Sequence, residues 1–183
     1  TYHSGENSST ETGIRSNTFA TVKSAADLGF TAPTGYVFAG WSTTEGGAAT
    51  YFPGNAVYVP EKGAHLYAVW TERTDLSYTV RYLEKGTGTN VKDPVVYTGQ
   101  TFSSKISVAA HKEEITGYTF DHADPEEELT IGTGSNVITL YYTRNSFKVS
   151  YEYTGTVPKN APALPPDSTE SVDGKVTAAK APE

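Results

Sequence analysis

The sequence predicts a β-rich α+β fold built as a tandem row of small modules, and three observations carry that prediction. Tyr, Val and Thr recur along the whole chain, with thirteen Tyr and seven Phe among 183 residues, and such side chains suit the half-buried surface of a pleated sheet. Seventeen Gly and ten Pro interrupt the runs at short intervals, as short strands joined by turns require. The aromatic pattern also repeats within the chain, which signals like modules in series.

The repeat is read from its strands. Gly35-Tyr36-Val37-Phe38-Ala39-Gly40-Trp41 is echoed by Gly117-Tyr118-Thr119-Phe120-Asp121. A closing aromatic strand follows each: His65-Leu66-Tyr67-Ala68-Val69-Trp70, then Ile138-Thr139-Leu140-Tyr141-Tyr142-Thr143. An opening strand starts each unit, Tyr78-Thr79-Val80-Arg81-Tyr82 in the second and Phe147-Lys148-Val149-Ser150-Tyr151-Glu152-Tyr153 in a third. Val80 and Tyr82 alternate with Thr79 and Arg81, so one side of that strand is expected to face a core. Tyr2 is expected at the end of the first opening strand, the counterpart of Tyr82, because Tyr2 to Gly35 and Tyr82 to Gly117 span 33 and 35 residues.

The same register places the next Gly-Tyr beyond Glu183, and Ala181-Pro182-Glu183 matches Ala32-Pro33-Thr34 before Gly35. The modules are therefore expected at residues 1–73, 74–145 and 146–183, with Thr74-Asp75-Leu76-Ser77 as a short polar link. The third is expected to stop before its Gly-Tyr strand. That would leave its opening strand with an unpaired edge, and the residues after Pro158 disordered or held by a neighbouring copy. Within a module, Thr21 to Gly29 predicts a short helical turn stopped at Gly29, and Ser104 to Glu114 is the corresponding crossover. A short helix or irregular crossover laid on a four- or five-stranded sheet is a β-grasp-like layout.

Charge and composition exclude several functions. The formal net charge is -7, and each module is net negative. A nucleic-acid binder needs a basic stripe to neutralise phosphates, and docking on an anionic leaflet needs the same sign of charge. No apolar run is long enough for membrane insertion. The absence of Cys excludes disulfides, thiolate zinc sites and cysteine nucleophiles. Small secreted eukaryotic modules usually need disulfide staples, so an extracellular chain of this kind points to bacteria.

These residues resemble known families. Gly35-Tyr36-Val37-Phe38-Ala39-Gly40-Trp41, Tyr51 and Leu66-Tyr67-Ala68-Val69-Trp70 resemble the Listeria–Bacteroides repeat found in the B repeats of internalin-like proteins. The second module, with Tyr78-Thr79-Val80-Arg81-Tyr82, Gly117-Tyr118 and Leu140-Tyr141-Tyr142, looks like the mucin-binding-protein (MucBP) family. It departs at Asp121-His122-Ala123, where the first module has Ala39-Gly40-Trp41. The third, Phe147 to Tyr153 followed by Pro158, Pro162 and Pro165-Pro166, is similar to the start of SHIRT-type stalk repeats. The resemblances imply tandem small β-grasp (ubiquitin-like) modules, a Gram-positive cell-surface or secreted location and no catalysis. Stalk domains of such proteins often carry Lys–Asn isopeptide bonds, but Arg81 stands where the second module would need its Lys, and none is expected.

No pattern assembles a catalytic site. His3, His65, His111 and His122 lie on different elements without metal-ligand spacing. The run Asp121 to Glu128 holds five carboxylates, yet lacks the alternation that wraps calcium and reads as a solvated loop. The glycines in Lys85-Gly86-Thr87-Gly88-Thr89 and Ile131-Gly132-Thr133-Gly134-Ser135 lack a phosphate loop's ending and are expected to be hairpin turns. Trp41 and Tyr118 are the candidate binding residues, as aromatic platforms for sugar, although Trp41 and Trp70 are better used in a core. The expectation is a stalk or spacer of a cell-surface adhesin that presents a distal domain away from the envelope. It is a monomeric, non-enzymatic segment without cofactor or metal, attached to the wall through regions outside this chain. The rival is a binding module for a host glycoprotein, a mucin glycan or cell-wall polysaccharide.

Overall fold

The computed structural model describes residues 1–157 and 159–171. Its first twelve strands form two series of six. The first is β1 (Tyr2–Ser4), β2 (Asn7–Ser9), β3 (Thr18–Thr21), β4 (Tyr36–Ser42), β5 (Ala56–Val59) and β6 (Leu66–Glu72). The second is β7 (Leu76–Glu84), β8 (Asn90–Gln100), β9 (Lys105–Ser107), β10 (Tyr118–Asp124), β11 (Glu128–Thr130) and β12 (Val137–Arg144). One four-stranded sheet has the order β2-β1-β6-β4 and the other, read from the same end, β8-β7-β12-β10. The centre of each is a parallel pair, β1 with β6 and β7 with β12. Each series adds a two-stranded sheet, β3 with β5 and β9 with β11. The chain is β-rich, with small mixed sheets.

The same local rules build both series. Gly35 and Gly117 have φ near 82° and 83°, a conformation that glycine adopts without steric cost. Each sits third in a turn closed by the following Tyr, whose N–H donates to Pro33 O or Ile115 O at 3.0 Å, as in a type II turn. The Gly carbonyls then accept from Arg73 and Asn145, both at 2.9 Å. A β-bulge follows at the same step, between Phe38 and Gly40 in β4 and between Phe120 and His122 in β10.

The crossovers contain no α-helix among the described residues. The helical turn before Gly29 is one 3-10 turn, Ala26–Leu28, and Gly29 closes it at φ 77° with its N–H on Ala26 O. Ser24 and Asp27 cap each other in front of it: Asp27 N–H donates to Ser24 Oγ at 3.1 Å, and Ser24 Oγ donates to Asp27 Oδ2 at 2.7 Å. The counterpart, Val108–His111, is also a 3-10 turn, and Val108 is fully buried.

Contacts divide the chain into two compact units. Unit 1 comprises Thr1–Ser77, Tyr97–Lys105 and Thr130–Asn136; unit 2 comprises Tyr78–Val96, Ile106–Leu129 and Val137–Glu183. The core of unit 1 is Tyr2, Val22, Ala25, Trp41, Val57 and Leu66, flanked by Leu28, Phe30, Phe38, Tyr51 and Trp70. Also within unit 1, the ring of Phe102 lies where Gly35 would carry a Cβ. In unit 2 the expected alternation holds: Tyr78, Val80 and Tyr82 are buried, while Thr79 and Arg81 are not. Ile138, Leu140 and Tyr142 are buried on the adjacent β12.

Three expectations need correction. Tyr2 begins β1 and pairs with Leu66. Leu66 and Ile138 stand at the same step of their strands, and Ile138 pairs with Val80, so the counterpart of Tyr2 is Val80 and not Tyr82. A slip of two residues keeps every side chain on its face, so alternation alone cannot detect it. The second glycine segment is not a hairpin, because β11 pairs with β9 while β12 pairs with β7 and β10. Asn136 orders that crossover, accepting from Gly132 N–H at 2.8 Å and donating to Gly132 O at 2.9 Å and Ser77 O at 3.0 Å.

The third correction concerns the edge expected to stay open at the third opening strand. β13 (Ser146–Val149) pairs antiparallel with β14 (Ser168–Ser171), because the Pro-rich segment turns back and takes up the backbone groups of one edge. Phe147 remains 59% exposed. Pro158 and residues 172–183, with the match at Ala181-Pro182-Glu183, lie outside the described residues.

Candidate functional site

The bulge in β4 turns Trp41 inward. Gly40 has φ 138°, and a Cβ there would meet Tyr51 O at 2.9 Å and Ala49 Cβ at 3.0 Å. Trp41 is 0% exposed. Its indole N–H donates to Lys23 O at 2.8 Å, and its ring centroid lies 4.8 Å from Tyr2 and 5.0 Å from Phe38. The residue offered by the sequence as a sugar platform therefore presents no free face. Trp70 is half-buried and donates from Nε1 to Ser4 Oγ at 3.2 Å.

Tyr118 has a different setting. It opens β10, is half-buried, and lines a groove of about 590 Å³ with Glu113, Glu114, Phe120, Tyr142 and Asn145. The Arg144 guanidinium lies over its ring at 5.4 Å, close enough for a cation–π contact. Arg144 is held by Glu84, Nε to Oε1 at 2.9 Å. That hydrogen bond is the main reason the Glu84 carboxyl titrates below its ordinary range.

Glu113 forms part of the groove and is fully engaged. Its carboxylate accepts from Lys92 at 2.5 Å and from the Tyr82 hydroxyl at 3.0 Å, and these bonds, Lys92 first, lower its pKa. Its backbone N–H donates to the Tyr142 hydroxyl at 3.2 Å, and that hydroxyl donates back to Glu113 O at 2.9 Å. The groove is thus lined by the hydrogen-bonded Glu113 and Tyr142, by the rings of Tyr118 and Phe120, and by one further carboxylate, Glu114.

The four histidines occupy three settings. His111 bonds the Tyr78 hydroxyl at 3.0 Å, and burial lowers its pKa. His122 pairs with Asp121 at 2.5 Å and stacks on Tyr141 with centroids 4.5 Å apart. Lys85 takes the other oxygen of Asp121 at 2.8 Å, so one carboxylate of the acidic run is neutralised locally. His3 and His65, remote in sequence, meet at 2.9 Å. Among the described residues no group of three or more His, Cys, Asp or Glu converges on a point.

Unit 1 also holds a cavity of about 190 Å³ walled by Tyr2, Ile14, Ala20, Val57 and Leu66, below the roughly 300–1,000 Å³ usual for ligand pockets. No helix among the described residues is long and apolar enough to cross a membrane. In comparisons with known proteins, no family model, no curated protein and no solved structure matches the chain.

Proposed function

We infer that the chain is a non-catalytic stalk or spacer segment of an exported bacterial cell-surface adhesin, built from small β-grasp-like modules. The observation that supports this reading is repetition at the level of register. Strand order, the parallel central pair, the Thr-Gly-Tyr turn and the bulge recur in β1–β6 and β7–β12, while most core side chains differ. Copying the frame and varying its contents adds length without adding chemistry, as in other quasi-one-dimensional arrays. A Gram-positive surface location, with anchoring through other parts of the protein, belongs to the same reading.

The test is replacement. In the parent protein on its native cell, this segment is exchanged for an unrelated folded spacer of equal contour length. Unchanged adhesion with the exchange, together with loss of adhesion on simple deletion, supports a spacer; loss on exchange sinks it.

A second reading, a binding module for a host glycoprotein, a mucin glycan or cell-wall polysaccharide, is favoured by the groove beside Tyr118. Its volume falls in the ligand-pocket range, and an aromatic ring beside polar groups suits a sugar. Saturable binding on a glycan array, abolished by Tyr118→Ala in a folded variant, would establish it. A flat array would remove it.

A further inference from the structure

His3 and His65 are brought together by topology alone. The parallel pairing of β1 with β6 sets His3 beside Tyr67, and His65 precedes Tyr67 by two residues, so it projects to the same side of an extended chain. His3 Nε2 lies 2.9 Å from His65 Nδ1, and the two rings are within 13° of parallel. The opposite neighbour of His3 is Tyr67, stacked at 4.9 Å, which restricts the rotation of the imidazole. His65 is exposed and His3 half-exposed, so ions reach the pair from solvent.

An imidazole nitrogen binds a zinc-class ion at about 2.0–2.1 Å, which places two adjacent ligands of a tetrahedral or octahedral ion about 2.9–3.4 Å apart. The separation observed here is the short end of that range. We propose that His3 and His65 form a bidentate imidazole site for a divalent transition-metal ion of the zinc class on the outer face of the unit 1 sheet.

The chemistry of the pair agrees with that assignment. One N–H now points from one ring to the lone pair of the other. On binding, that proton moves through solvent to the outer nitrogen of its own ring, and both rings turn in their own planes by roughly 45° so that the inner lone pairs, aimed at each other in the hydrogen bond, converge on the ion. Imidazole pairs favour zinc, copper(II) or nickel(II) over calcium or magnesium, which prefer oxygen ligands. No third His, Cys, Asp or Glu joins the pair among the described residues. Water or a donor from a second molecule therefore fills the remaining positions, and the site is open and exchangeable.

The experiment is calorimetric titration of zinc into the full chain at neutral pH. Residues are placed ahead of Thr1 so that no free α-amine lies near His3. The expected result is one saturable ion per chain, weakened roughly tenfold or more by His3→Ala and by His65→Ala. His122→Ala leaves it unchanged, and calcium gives no saturable heat. Near-UV circular dichroism of the Trp41 environment checks that each variant is folded. In the unsubstituted chain, zinc should shift the imidazole nitrogen resonances of His3 and His65 but not those of His111. Absence of saturable heat at millimolar zinc, single variants that bind as well as the parent, or shifts confined to His122 would each overturn the proposal.

Discussion

At one step of the repeat the two series solve the same packing problem in opposite ways. In β4 the residue after the bulge is Trp41, and its partner on β6 is Ala68. In β10 the residue at that step is Ala123, and its partner on β12 is Leu140. Trp41 and Leu140 are both 0% exposed. A large side chain faces a small one in each case, on opposite strands. Interiors tolerate exchanges that conserve volume and punish those that do not, so the frame persists while the anchor moves from the fourth strand of the series to the sixth. The residue before that step changes too: Gly40 gives way to His122, whose ring stacks on Tyr141 outside the core.

The largest expected effect breaks the first arrangement. Trp41→Ala removes a fully enclosed ring and its bond to Lys23, and should cost about 3–5 kcal/mol, read as a shifted midpoint in urea unfolding. The second arrangement is tested by rescue. Leu140→Ala should cost about 2–5 kcal/mol, and Ala123→Leu in the same chain should recover part of it. If the double variant is no more stable than Leu140→Ala alone, the idea of a transferred anchor fails.

Polar anchoring of the second series gives the next effect. Tyr142→Phe leaves Glu113 N–H and O without their shared hydroxyl and should cost about 1–3 kcal/mol. The glycine turns sharpen the comparison further. Gly35→Ala should cost more than the roughly 1–2 kcal/mol of a left-handed φ alone, because Phe102 occupies the space of the new methyl group. A loss no larger than that would show that the ring yields freely.

The smallest effect is a pH dependence. Burial lowers the folded-state pKa of His111, and Glu113 opposes that shift. The folded state thus favours the neutral ring. Its contribution is fully present above the unfolded value of about 6.5 and is lost as pH falls through the folded pKa. Thermal midpoints measured from neutral pH to about pH 5 should fall less steeply in His111→Gln than in the parent. Identical slopes would show that His111 titrates alike in both states.

Much of this fold was legible in the residues. The alternation through Val80 and Tyr82 marked an inward face, Gly29 marked the end of a helical turn, and the paired Gly-Tyr strands marked the period. These features are local: strand alternation, left-handed glycine and repetition are written along the chain. The candidate site was less legible. Trp41 and Tyr118 belong to equivalent strands and both were candidate platforms, although Trp41 was better used in a core; one is enclosed and the other borders a groove. Burial depends on what arrives from elsewhere, in this case Tyr2, Phe30 and Phe38 around Trp41.

The sequence by itself therefore determined the β-rich class, the turn chemistry, the acidic character and the periodicity. Tertiary structure alone decided the register of Tyr2, since a slip of two residues leaves every face unchanged. It also decided the partner of β11, because pairing follows the path of a crossover rather than the glycines within it. It decided the meeting of His3 with His65 across 62 residues, because two parallel strands must lie side by side before such imidazoles can share a proton or an ion.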